Sequence, residues 1–287
     1  MKKNWSFDLA LAGLLAASLL VAYGHAFRLA FINDDYFFLE KVRGRTFWQL
    51  WLPEELILNW YRPWSRETHY WILNHLAGLN EPLYHLANFP LALAVLLLFF
   101  QLANRLAGRG PAGIATARVA SLGLWSGPVL WVPGAQELWM LLFSLLSLHA
   151  LLAGRTFVAL FPLLMALLSK ETAAILPALA TAALWILKGK PLRAALARTA
   201  GFWVVTAVWV ITHPTLWARI FGTLQRSPEA EHRAAAPVIL LKTLLAQVNL
   251  EGAFAPEGGW GPVLLKGLAG GVPWCGWHLD SRREIPR

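Results

Sequence analysis

Long apolar runs separated by short polar segments dominate the chain, and each run long enough to cross a bilayer predicts a membrane helix. The first covers residues 6–27. A stretch from 28 to 82 follows in which no window is long and apolar enough to cross; it mixes acids, bases and the aromatics Trp48, Trp51, Trp60, Tyr61, Trp64, Tyr70 and Trp71. Within it, Pro63 suits a helix start and Gly78 a helix end, so WSRETHYWILNHLAG predicts a helix lying along the interface. Further runs cover 83–106, 115–132, 138–153, 157–168, 172–187 and 199–212. Pro90 marks a kink in the second run, Pro177 lies inside the sixth, and 157–168 is too short to cross alone. The expected fold is all-α: a polytopic transmembrane helical bundle of about seven spans, with interfacial helices in the first outer loop. Residues 1–214 form the membrane domain, with 28–82 as that loop. Residues 215–287 form an extramembrane segment, helical over 237–250 and otherwise loop or disordered tail, rich in Gly and Pro.

Composition supports this reading. The chain has 287 residues, 57% hydrophobic and only 14% charged, where a soluble domain carries about 25% charged residues. The net charge of +9 would raise nucleic acid in a soluble protein, but here the bases sit between apolar runs and set orientation instead. Lys2 and Lys3, then Arg105, Arg109 and Arg118, then Arg155, then Lys188, Lys190, Arg193 and Arg198 all fall on one side if the spans alternate. That side is cytoplasmic, and so is the N-terminus. The other side receives the 28–82 loop, the 133–137 and 169–171 turns, and His213. The first run is longer than a signal-peptide core and lacks a clean cleavage site, so it is read as an uncleaved span. Cys275 is the one cysteine, so no intrachain disulfide forms.

The polar residues with candidate chemistry gather on that outer side. In FINDDYFFLE, residues 31–40, Asp34 and Asp35 follow the first run directly. One reading is that Asn33 or Asp34 caps the helix begun by YFFLEKV, with acids favoured in a first turn; the other is catalysis. Arg62 is either a headgroup contact or a phosphate clamp. Lys170 and Glu171 are either a local ion pair at a span end or functional. Glu67 is either a second acid facing Asp34 or part of a solvated helix face. His85 and Asn88 lie one turn apart and share a face, as a polar contact between helices or as site support. Glu137 is read as structural. His69, His75 and His85 lack metal-ligand spacing, and Cys275-x-x-His278 is a weak pair in a loose tail. No P-loop or dinucleotide fingerprint occurs, and the cytoplasmic loops leave no room for a nucleotide-sugar domain.

Three fragments carry a resemblance. Residues 61–89, YRPWSRETHYWILNHLAGLNEPLYHLANF, resemble the Tyr-Arg-Pro…Gly-Leu-x-x-x-x-Tyr-His-Leu-x-Asn pattern of the GT-C superfamily of polytopic sugar transferases. Protein O-mannosyltransferases, their tetratricopeptide-bearing relatives and the lipid A aminoarabinose transferases belong to that group. Residues 167–179, LLSKETAAILPAL, are similar to its Ser-Lys-Glu-Thr segment, and Asp34-Asp35 matches its first-loop acidic motif. The resemblance spans roughly residues 5–190; family members usually have more spans and a longer C-terminal half.

It implies a GT-C-like bundle in a bacterial-type inner membrane, an outer-face active site and a lipid-linked donor. The expected activity is inverting transfer of a sugar from a polyprenyl-phosphate carrier to a hydroxyl of a protein, glycan or lipid acceptor. Asp34 is then the general base, and Asp35 holds a divalent cation or orients the acceptor. Asp34 and Asp35 are also the oxygen ligands for any Mg2+ or Mn2+. Arg62 and Lys170 would meet the donor phosphate, with Glu67, His85 and Glu171 in support. A groove between the second run and the 169–171 turn would take the lipid tail. A transporter or flippase of a lipid-linked substrate, or a non-catalytic scaffold, are the alternatives; transporters often show two related halves, which this sequence lacks.

Overall fold

The computed structural model describes residues 5–53, 60–217 and 221; the helix expected at 237–250 and the Cys275–His278 pair lie outside them. Among the described residues the chain is helical and no strand forms. Four helices among the described residues are long and apolar enough to cross a membrane: Ser6–Arg28, Glu81–Ala107, Val132–Leu152 and Leu192–Thr212. They mark an integral membrane protein. Two shorter apolar helices, Thr156–Leu167 and Glu171–Leu187, lie between the last two.

Helix α1 (Trp5–Tyr23) continues through a 3-10 turn, Gly24–Arg28. The first loop then folds into α2 (Asp34–Val42), a 3-10 turn at Phe47–Trp51, a π-helical segment at Pro63–Thr68 and α3 (His69–Ala77). The helix expected at 64–78 is therefore present, but its first part is π-helical. Gly78 ends it with φ +57°, a conformation that costs glycine little and other residues much. Helix α4 (Glu81–Ala107) has 27 residues, about 40 Å at 1.5 Å per residue, enough for a hydrocarbon core of about 30 Å. After it come α5 (Arg109–Ala120), α6 (Ser126–Leu130), α7 (Ala135–Leu152), α8 (Thr156–Leu167), α9 (Leu176–Ala182) and α10 (Leu192–Thr212).

The run at 115–132 is not one helix. The chain breaks after Ala120, is extended at Leu122 (ψ 136°) and extends again at Trp131 (ψ 125°). Gly123 follows the first break, where glycine weakens a helix, and Pro128, in the first turns of α6, has no N–H to carry a helical ladder back across it. Irregular backbone in a membrane bundle needs protein partners for its carbonyls. Asn88 of α4 supplies them, its Nδ2 donating to Pro128 O and Trp131 O at 3.2 Å each and to Val132 O at 3.4 Å. The sixth run is also segmented, as a 3-10 turn at Glu171–Ile175, then α9, then a π turn at Ala183–Leu187, with Pro177 in the first turn of α9. Helix α10 starts seven residues before the expected 199, because Pro191 opens it. Arg193 and Arg198 thus lie on the helix rather than in a loop.

Two apolar cores hold the bundle. One joins α1, α4, α6 and α7 through residues such as Leu19, Leu96, Val129 and Leu138; the other joins α7 to α10 through Leu151, Leu163, Leu176 and Phe202. A third, built from Phe38, Tyr70, Tyr84 and Val132, seats the first loop on the bundle. Arginines tie one end together. Arg109 pairs with Asp8 at 2.7 Å, Arg105 donates to His149 O at 3.4 Å and Arg198 to Gly154 O at 3.3 Å.

At the α6–α7 corner a Cβ on Gly134 would stand 2.4 Å from Gly127 O and 2.6 Å from Pro128 Cα. Backbone cannot yield as a flexible side chain does. Gly134→Ala is expected to destabilise by about 1–3 kcal/mol, the usual cost of overpacking, read as a lowered melting temperature of detergent-solubilised protein. An unchanged melting temperature would contradict this close approach.

Candidate functional site

The acidic stretch enters α2 through a tight turn. Asp35 N–H donates to Ile32 O at 3.0 Å, and Asn33 adopts φ +42° and ψ −106° as the one non-glycine residue with positive φ among the described residues. That conformation is strained for a residue with a Cβ. Neither acid nor amide caps as expected: Asn33 makes no side-chain cap hydrogen bond. Asp35 instead closes the turn, its Oδ2 accepting the Ile32 N–H at 2.8 Å. Its Oδ1 accepts the Tyr70 hydroxyl at 2.5 Å. Glu81, at the start of α4, accepts the neighbouring Phe31 N–H at 3.2 Å. The sequence offered no signal for Tyr70 or Glu81 beyond an aromatic among many and an acid in a first helical turn.

The two acids of the pair therefore differ. Asp35 is 1% exposed, and burial raises its pKa, with Asp34 and Glu81 adding to the rise and the Ile32 and Tyr70 hydrogen bonds opposing it. Burial, with Asp35 beside it, holds the Tyr70 hydroxyl well above its usual pKa. Asp34 is half-buried and makes no side-chain hydrogen bond among the described residues. Both oxygens of Asp35 are engaged. No group of three or more His, Cys, Asp or Glu among the described residues is placed to hold a metal.

The π-helical segment buries Ser65, Arg66, Glu67 and Thr68 in succession, a pattern that an α-helix at an interface would not give; π segments often mark functional sites. Glu67 does not lie on a solvated face. It is 3% exposed, and its Oε1 accepts Lys41 Nζ at 2.8 Å and Arg66 Nε at 2.7 Å. Arg66 also donates to Trp60 O at 2.6 Å and packs its guanidinium 5.1 Å from the centre of the Phe38 ring. Burial lowers the Lys41 pKa, and Glu67 opposes that shift. Glu67 thus binds α2 to the π-helical segment rather than facing Asp34 as a free acid.

Two of the resembling fragments meet in space. Arg62 Nε lies 3.1 and 3.0 Å from the two Glu171 oxygens, and Arg62 Nη2 lies 2.6 Å from Glu171 Oε2, across 109 residues of sequence. Arg62 Nη1 donates to Gln136 Oε1 at 2.6 Å. Ser65 Oγ donates to Ser169 O at 2.6 Å. Lys170 pairs with Glu137 rather than with its neighbour Glu171. The result is a partly exposed cluster of two cations, two carboxylates and one amide at the starts of the π-helical segment, α7 and the Glu171–Ile175 turn. Gln136 and Glu137 complete it: Glu137 is not merely structural, and no local pattern marks Gln136. His85 is elsewhere, 2% exposed on α4 and beside the backbone of Leu29 and Leu130, where it supports helix packing together with Asn88.

An apolar groove of about 540 Å³ runs between α8 and α10. Leu164, Leu168, Val204, Val208 and Trp209 line it, and Tyr61 and His213 stand in it as well. Tyr61 directly precedes Arg62, and Leu168 lies two residues before Lys170. The groove expected between the second run and the 169–171 turn is not this one, which lies between α8 and α10 and has no residue of 83–106 in its lining. No protein-family model, curated protein or solved structure matches the chain.

Proposed function

We propose that the chain is a membrane glycosyltransferase of GT-C type. It transfers a sugar from a polyprenyl-phosphate donor to a hydroxyl of a protein, glycan or lipid acceptor. The site faces outward from a bacterial-type inner membrane, with the N-terminus in the cytoplasm. On this reading the α5–α6 unit, α8 and Glu171–Leu187 join the four long helices to make seven crossings.

The observation that carries the proposal is the meeting of Arg62 with Glu171 and of Lys170 with Glu137 beside an apolar groove. A lipid phosphate needs both halves of that arrangement: hydrocarbon for the tail and cations for the head. Arg62 has N–H groups left over after Glu171 and Gln136, because a guanidinium carries five. Glu171 and Glu137 hold the two cations in place, and each ion pair loosens as the phosphate takes a share of the positive charge. The acceptor hydroxyl passes its proton to Asp34 while its oxygen bonds to the anomeric carbon. The bond from that carbon to the phosphate oxygen breaks, and the polyprenyl phosphate leaves with the electron pair. Attack opposite the leaving group inverts the anomeric centre. Asp35, buried with both oxygens held by Tyr70 and Ile32, acts through the turn and positions Asp34 toward the acceptor.

Purified full-length protein should use a polyprenyl-phosphate sugar and ignore nucleotide sugars. Lys170→Glu should weaken donor binding about tenfold or more and leave acceptor KM little changed, since a like charge then faces the phosphate. Transfer from a nucleotide sugar, or an unchanged donor affinity in Lys170→Glu, would overturn the assignment.

A further inference from the structure

A second cleft, of about 330 Å³, lies between the π-helical segment with α3 on one wall and α4 with Trp139 of α7 on the other. Trp64, Thr68, His69, Ala87 and Leu91 line it along with Trp139, and no charged residue does. Three of these residues carry a buried polar atom with no hydrogen-bond partner among the described residues: Trp64 Nε1, Thr68 Oγ1 and His69 Nε2. Buried polar groups are almost always paired, so three orphans around one cleft need an explanation.

The state of His69 follows from its neighbour. Trp139 Nε1 lies 3.2 Å from His69 Nδ1. An indole N–H only donates, so Nδ1 accepts and carries no proton. Burial lowers the His69 pKa to about 4, and the ring is neutral at pH 7. Its proton therefore sits on Nε2. The cleft is thus apolar, free of charge, and backed by two N–H donors and a hydroxyl.

We infer that this cleft binds a diacyl glycerolipid of the surrounding bilayer, with an acyl-ester carbonyl accepting from His69 Nε2 and Trp64 Nε1. A phosphate or other anion would require a cation, and none lines the cleft. A plain polyprenyl chain has no acceptor to offer and would leave the donors unpaired. The three polar atoms are themselves buried, so reaching the carbonyl takes a side-chain rotation.

The test uses the full chain in nanodiscs containing phosphatidylglycerol with a diazirine early in one acyl chain, in a diester form and in a diether form that lacks both carbonyls. After irradiation, cross-links are mapped by mass spectrometry. At residues 64–73 and 87–91 the diester lipid should label about fivefold more than the diether, the worth of roughly one hydrogen bond. Along the lipid-facing side of α10 the two should label alike. His69→Phe should remove the difference at the cleft. Equal labelling of the cleft by both lipids in the unaltered protein would overturn the inference. So would loss of the cross-link on adding polyprenyl phosphate, which would assign the cleft to the donor tail.

Discussion

Asp34→Asn is expected to reach the membrane at the normal level and to lose transfer by about 10²–10⁴-fold, the usual cost of removing a general base. The amide keeps the size and shape of the side chain but cannot take the acceptor proton. A lost helix cap would act differently, lowering stability by about 1 kcal/mol with activity per folded molecule unchanged. The geometry already argues against a cap, since Asn33 makes no capping hydrogen bond and the turn is closed by Asp35. Asp35→Asn is the informative partner. An amide there can accept from Ile32 N–H and donate to the Tyr70 hydroxyl, so both contacts survive. The Asp35 pKa is raised above its ordinary 3.8. Between 3.8 and that raised value the folded state binds more protons than the unfolded one, so stability falls as pH rises through the window. Asn at 35 removes that loss, and the variant should be at least as stable as the parent at neutral pH, with the advantage disappearing in acid. Quantified protein level, melting temperature and single-turnover transfer separate the two acids. Normal transfer by Asp34→Asn would end the proposal that it is the base.

The long helices were legible because hydrocarbon thickness and helix rise fix a length that composition alone reveals, as at 6–27 and 83–106. The 115–132 run misled because its glycines and Pro128 sit among residues apolar enough to hide them. Hydropathy averages over a break whose carbonyls Asn88, far away in sequence, helps to satisfy. Arg62, Lys170 and Glu171 were legible as polar residues at the ends of apolar runs, but their pairing was not. Lys170 and Glu171 are neighbours in sequence, yet each finds its partner on another element, Glu137 and Arg62. The largest miss was Glu67. An acid on an amphipathic stretch reads as solvated at α-helical spacing, and nothing local announces a π-helical segment that turns four consecutive residues inward. Local pattern reports periodicity, whereas partners across more than a hundred residues are set by how the elements pack.

That buried Glu67 gives the second large expectation. Glu67→Ala should destabilise by about 3–5 kcal/mol, the cost of leaving a buried charge without its partner. Lys41 and Glu67 have side chains only 7% and 3% exposed, so water cannot replace the carboxylate. Arg66 loses the same oxygen, and two buried cations are left facing each other across α2 and the π-helical segment. The melting temperature should fall by about 10 °C, at roughly 2–4 °C per kcal/mol for a domain of this size. The pH dependence identifies the cause. Burial already lowers the Lys41 pKa, and Glu67 is the chief influence raising it, so its removal lowers that pKa further. Above the folded-state pKa, Lys41 sheds its proton in the folded protein while still holding it in the unfolded one. Stability then rises with pH up to about 10.5. The deficit of Glu67→Ala relative to the parent should therefore shrink as pH rises from the variant's folded-state Lys41 pKa to the parent's, both below 10.5, whereas a deficit from lost packing would not change. Lys41→Met serves as the control. It removes one cation and leaves Glu67 with Arg66, so its cost should be well below that of Glu67→Ala. Equal losses in the two variants, or a Glu67→Ala deficit that does not vary with pH, would show that the triad is hydrated and that α2 is held to the π-helical segment by its apolar contacts alone.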